Sequence, residues 1–350
     1  MKKFFFMALF VLCIFPVKVH AVDYRQEIEN IMQDYNLDID VTHGFSLENI
    51  YEKTIVSVKE KAEQPLQITA KIIGMVLLCS VISTIQPPGY KDNIPVVICT
   101  LVIYLMLVTP MQQIIGMINE NLIAVKNFMV SFLPVYAGIS VASGEVVTST
   151  VSTGIFLSGM VFAANMCMDI ILPSVSIYFA LIVSDAISPY IRLKSIGDFY
   201  LKMVRWTMRS IVSVICFLLT VQTVVSQGSD TLAVKTGRFL AGNAIPVIGG
   251  ALQDAVASVF AGMESIKGFA GAAGMAGVAM IFLPSLIMLA IYLVSLNLAY
   301  ICCDMFEMSS AAGCIKGFMD ITELMISVVF LFMVMLIFSL TIMISMTNGV

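Results

Sequence analysis

The chain holds only two histidines, His20 and His43, and both precede the long apolar stretches that begin at residue 66. A histidine-based metal site or nucleophile–base pair therefore has no material in the apolar body. Neither GxSxG, HExxH nor a Walker-type phosphate loop occurs, so a nucleophile elbow, a zinc helix and a nucleotide cradle are all missing. What remains titratable within or beside the apolar runs is Lys71, Lys126, Asp169, Asp185 and Asp254. A charge in hydrocarbon is costly enough to be a functional lead. Lys71 lies near a helix end and can snorkel to the interface, and Asp185 lies next to the stop at Pro189. Asp169 sits with Asn165 in a break between apolar runs, where the pair either lines a polar cavity or faces water in a turn. The polar set is thin for an ion-coupled transporter. The expectation is a protein that is not an enzyme and takes no cofactor or metal.

Small residues carry a clearer pattern. Gly268, Gly271, Gly274 and Gly277 recur at every third position among Ala270, Ala272, Ala273 and Ala276. In lipid, packing drives helix association, and such a face lets backbones approach closely, within one subunit or between copies. The eight cysteines include no CxxC pair. Their spacing indicates neither a disulfide framework nor a zinc site, so they read as small hydrophobes.

The elements that must position these residues follow from composition. Hydrophobic residues make up 59% of 350 positions and charged residues 12%, with a mean hydropathy of +0.97. Apolar runs of about 20 residues, each enough to cross roughly 30 Å of hydrocarbon, recur to the C-terminus. The fold class is all-α: a polytopic helical membrane protein with about seven to eight transmembrane helices and a re-entrant or interfacial amphipathic element. A net charge of −4 with no dense basic tract excludes nucleic acid as a partner and leaves the lipid bilayer as the main one.

Residues 1–21 read as a signal peptide, with Lys2 and Lys3 ahead of an apolar stretch and a small-residue cleavage site at Ala21. The alternative is an uncleaved helix, for which the stretch is short. Residues 22–65 form a short acidic extracytoplasmic segment with ten acids against four bases, a net −6. It carries two amphipathic patterns, at Tyr24, Ile28, Ile31 and Tyr35 and at Leu47, Ile50, Tyr51, Ile55 and Val58. Residues 66–350 form the polytopic membrane domain. Spans are expected at 66–85 and 94–115. After a polar break at 119–126, the segment 128–141 either spans or dips in. Two helices separated by a turn are expected over 147–188. The basic excess at 191–209 (Arg192, Lys194, Lys202, Arg205 and Arg209) marks a cytoplasmic loop. Further spans follow at 211–225, 274–298 and 324–345. Between them, 226–264 reads as an interfacial or re-entrant element followed by an amphipathic helix.

Within that element, Lys235 to Asp254 holds a GN-x-IPV-x-GG core at 242–250. Together with SFLPVY at 131–136, Lys267-Gly268 opening a Gly/Ala-rich helix and the acidic leader, it resembles the stage III sporulation protein AE family. The resemblance implies a mother-cell membrane protein around the engulfed forespore. It would be a non-enzymatic structural or export-platform subunit of a channel or secretion-like complex. Implied partners are ring-forming and ATPase subunits of the same stage III sporulation A-type complex and a forespore-side protein. Asn243, Pro246, Gly249, Gly250 and Asp254 are the expected functional surface, though the proline and glycines could equally only shape a turn. The alternative from another class is a stand-alone secondary transporter of a small solute.

Overall fold

In hydrocarbon each unsatisfied backbone N–H or C=O costs several kcal/mol, so a spanning segment must close its own hydrogen bonds, which a helix does. The computed structural model describes residues 47–85, 94–143, 146–187, 193–226 and 249–345, and helices make up nearly all of them. In chain order these are α1 (Leu47–Ile85), α2 (Ile94–Ala142), α3 (Val146–Met166), α4 (Leu172–Ile187), α5 (Lys194–Ser226), α6 (Gly249–Met305) and α7 (Ser309–Ser345). The signal peptide, the first amphipathic pattern, the Pro87-Pro88 turn, Arg192, Asn243 and Pro246 lie outside the described residues.

Six stretches among the described residues are long and apolar enough to cross a membrane: Ala62–Ile82, Val97–Ala142, Ser149–Asp185, Ser195–Val224, Ser265–Met305 and Ser309–Ile344. The all-α polytopic class holds, with fewer spans than the seven to eight expected. The difference arises where polar residues did not interrupt helices. Asn119 to Lys126 runs inside α2, a single helix of 49 residues. The second amphipathic pattern of the leader continues into the first span as α1. Likewise the amphipathic stretch after Gly249 continues into the span after it as α6, 57 residues long. The supposed loop at 191–209 is, from Lys194, the first half of α5. Asn, Gln, Glu and Lys cost a helix only tenths of a kcal/mol each, while breaking it in lipid costs far more.

The expected turn between two helices near Asp169 is instead a π-turn, Cys167–Ile171, whose closing bond runs from the Leu172 N–H to the Cys167 carbonyl. Pro173 explains it. Its ring presses on the carbonyl four residues earlier, that of Asp169, and it donates no hydrogen bond. One wider turn accommodates both defects without ending the rod.

The core centres on α6 and α7, an antiparallel hairpin closed by Phe306, Glu307 and Met308. The Met308 N–H bonds to the Cys303 carbonyl at 3.0 Å and the Glu307 N–H to the Asp304 carbonyl at 3.1 Å. This is a Schellman cap, with Glu307 at φ 55° in the left-handed position usually held by glycine. Buried Met308 and Cys303 supply its apolar contact. Around the hairpin, α1 lies along α6, and α2 packs against α6 and α3. In turn α3 packs on α5, while α7 reaches α2, α4 and α5.

Candidate functional site: seams and polar links of the membrane body

The Gly/Ala-rich face of α6 seats an aromatic ladder of α2. Phe128, Phe132 and Tyr136 recur at every fourth residue and are fully buried. A methyl group at Gly277 would lie 2.6 Å from the Phe128 ring tip, and one at Gly274 would lie 2.6 Å from that of Phe132. At Gly271 it would strike Ile344 of α7 and approach Tyr136 to 3.6 Å. A four-residue ridge thus fits a three-residue groove, the geometry that favours helix crossing near about +20°. Phe128 and Phe132 stack with centroids 5.5 Å apart. Gly268 is half-buried, one residue after the buried Lys267. Gly271, Gly274 and Gly277 therefore make contacts inside one chain.

Among the described residues, three polar links join helices through partners more than 100 positions apart. Asn121 of α2 donates to the Ser285 hydroxyl of α6 at 2.6 Å. That bond satisfies one polar side chain of the 119–126 stretch within the bundle. Between α5 and α7, the Ser339 hydroxyl donates to the Gln222 side-chain oxygen at 2.8 Å, both residues buried. The Gln222 amide nitrogen has no partner among the described residues. It borders a recess of about 10 Å³, near the room of one water, walled by Phe156, Gly159, Leu218 and Met335. Finally Arg205 of α5 pairs with Asp320 of α7 at 3.4 Å, and the Tyr178 hydroxyl of α4 donates to the same carboxylate at 3.5 Å.

Asn165 and Asp169 are both exposed, flanking and within the π-turn, and neither lines that recess. Gly249, Gly250 and Asp254 stand in the first turns of α6. Sequence reasoning missed the Gln222–Ser339 and Asn121–Ser285 links, since a single Gln or Ser in an apolar run carries no signal of its partner. For Arg205 the basic excess was the available sign. Among the described residues, no three or more His, Cys, Asp or Glu side chains gather as a metal site.

Six stretches among the described residues long and apolar enough to cross a membrane, packed with a small-residue seam, define the class: a multi-pass helical membrane protein. The sequence profile of the family described as stage III sporulation protein AE matches residues 27–347. The chain belongs to that family, and its role is in sporulation. No curated protein and no solved structure matches the chain.

Proposed function

We propose that the protein is a membrane subunit of the channel or secretion-like complex joining mother cell and forespore, acting as a non-enzymatic scaffold or export platform. The carrying observation is the family match over 27–347 on a body of membrane-spanning helices. Asn121, Ser285, Gln222, Ser339, Arg205 and Asp320 link one helix to another, which suits a scaffold. In this reading the protein sits in the mother-cell membrane with ring-forming and ATPase subunits as partners, and the leader is extracytoplasmic after removal of 1–21. Three spans precede the basic half of α5, so an outside start leaves Lys202, Arg205 and Arg209 in the cytoplasm, where basic residues concentrate.

The test is a clean deletion in the native host, scoring vegetative growth, heat-resistant spores and a late forespore reporter. Normal growth with engulfed but arrested forespores supports the complex. Normal spores, or a growth defect tied to one nutrient, would shift the assignment to a stand-alone transporter. Within the complex, Asn243, Pro246, Gly249, Gly250 and Asp254 form the partner-facing surface. Asp254→Lys or Gly249→Leu should reduce spore yield more than Lys91→Glu does. An interfacial contact worth about 1.4 kcal/mol weakens assembly about tenfold when lost. Equal tolerance at the three positions would sink that surface.

A further inference from the structure

The outward face of α5 carries a feature that neither scaffold nor channel function requires. Ile196, Phe199, Met203, Trp206, Val214, Phe217 and Val224 are all exposed. At about 100° per residue they fall within a sector of about 80°. The buried residues Leu201, Val204, Met208, Ile211 and Ile215 lie on the opposite side, against the bundle. On one flank of the exposed stripe stand Lys202, Arg205 and Arg209, with the one acid Asp198 a turn before Lys202, all exposed, so that bases outnumber acids there three to one. Beyond Arg209 the helix carries no charge through Ser226.

Between Trp206 and Val214 the same face carries Thr207 and Ser210, whose hydroxyls bond the Met203 and Trp206 carbonyls of the helix itself and so present no unpaired group to acyl chains. The far half of the stripe, Val214 to Val224, belongs to the uncharged part of the span, where acyl chains cover it. With those hydroxyls satisfied inside the helix, the same cover can extend along the face to the basic turns, up to the level where charge begins. That level holds Trp206, which is 65% exposed and the only tryptophan in the chain. Tryptophan concentrates where hydrocarbon meets headgroups, and Lys and Arg beside it extend their charged ends toward phosphate. Arg205 is held in place by Asp320, whose second oxygen is engaged by Tyr178, while half of its side chain stays exposed. A guanidinium so anchored still offers N–H groups to a phosphodiester.

We propose that the first half of α5 is a binding site for anionic phospholipid. Lys202, Arg205 and Arg209 hold the headgroup phosphate, and Phe199, Met203 and Trp206 lie against the glycerol and upper acyl chains. The site sets the depth of α5 in the bilayer and makes the protein prefer membrane rich in negative lipid. This inference needs only the multi-pass fold and stands apart from the identity of the complex.

The lone tryptophan makes the test direct. The full-length protein is reconstituted in phosphatidylcholine vesicles containing a fixed fraction of phosphatidylglycerol, with bromine placed on the acyl chains of one lipid or the other. Trp206 emission should be quenched more by brominated phosphatidylglycerol than its mole fraction predicts. The expected relative affinity over phosphatidylcholine is about fivefold or more, since each basic residue near a negative surface is worth about that factor. High salt should shrink the preference in the unaltered protein. The triple variant K202Q/R205Q/R209Q should bring it close to unity, while K202R/R205K/R209K should retain most of it. Equal quenching by the two lipids in the unaltered protein overturns the proposal. So does a preference that survives the triple glutamine variant. Trp206 shielded from both brominated lipids would overturn it too, pointing to an acidic partner helix or a second copy on this face.

Discussion

The α6–α7 hairpin and α5 share one solvent and are built in opposite ways. In the apolar stretch of α7, 56% of residues are buried inside the protein, against 22% for that of α5. The hairpin makes its contacts with small residues: Gly271, Gly274 and Gly277 present bare backbone to Ile344, Phe132 and Phe128. By contrast α5 turns its large residues outward, with Phe199, Trp206 and Phe217 on the surface. In water this distribution would be inverted, because large apolar side chains gain most from burial. In lipid they gain little by moving inward. Shape then decides which helices meet, and the residues that permit close approach go to the centre.

The contrast can be broken first at the seam. Gly274→Leu places a branched side chain against the Phe132 ring and Leu340, and should cost about 3 kcal/mol or more by overpacking. Thermal unfolding in detergent would record it as a lower midpoint and a smaller folded yield. Adding Phe132→Ala should recover a good part of the loss. No recovery would mean the two residues are not seated on each other.

A smaller effect lies where the two regions are joined. Ser339→Ala removes the donor to Gln222 and should cost about 1 kcal/mol, in the range measured for hydrogen bonds between membrane helices. Gln222→Met removes both poles of the buried amide and should be nearly neutral, because Ser339 can turn its hydroxyl to the carbonyl four residues earlier. Equal losses for the two variants would show that the amide has partners the link does not account for.

The smallest effect sharpens the picture of the hairpin itself. Glu307 occupies a left-handed conformation that costs an ordinary L-residue roughly 1–2 kcal/mol. Glu307→Gly should relieve part of that and raise the unfolding midpoint slightly. A fall would show that the glutamate side chain contributes more than its backbone costs.

Much of the body was legible beforehand. Runs of apolar residues indicated spanning helices because hydropathy over about 20 residues is a local property. The three-residue glycine repeat marked a close-approach face for the same reason. What it would meet was not legible: the ladder Phe128, Phe132 and Tyr136 is over 130 positions away in the chain. Polar breaks misled for a physical reason. Asn121 looked like an interruption because its partner, Ser285, is 164 residues distant. The break near Asn165 and Asp169 read as a turn between two helices because one turn of π geometry cannot be seen in residue types. Of the expected surface at 243–254, the described part contributes helix positions in α6 and no more.

By itself, then, the sequence determined the solvent, the helical class, the basic excess at 191–209 and the presence of a small-residue face. All four depend on composition within a few turns of helix. Only the tertiary structure decided that polar stretches continue as helix, that the glycine seam closes inside one chain, and that Arg205 is aimed by Asp320 and Tyr178. Each of those outcomes turns on a partner brought near by packing, and the free energy of a buried polar or close-packed group is set by that partner and not by its neighbours in sequence.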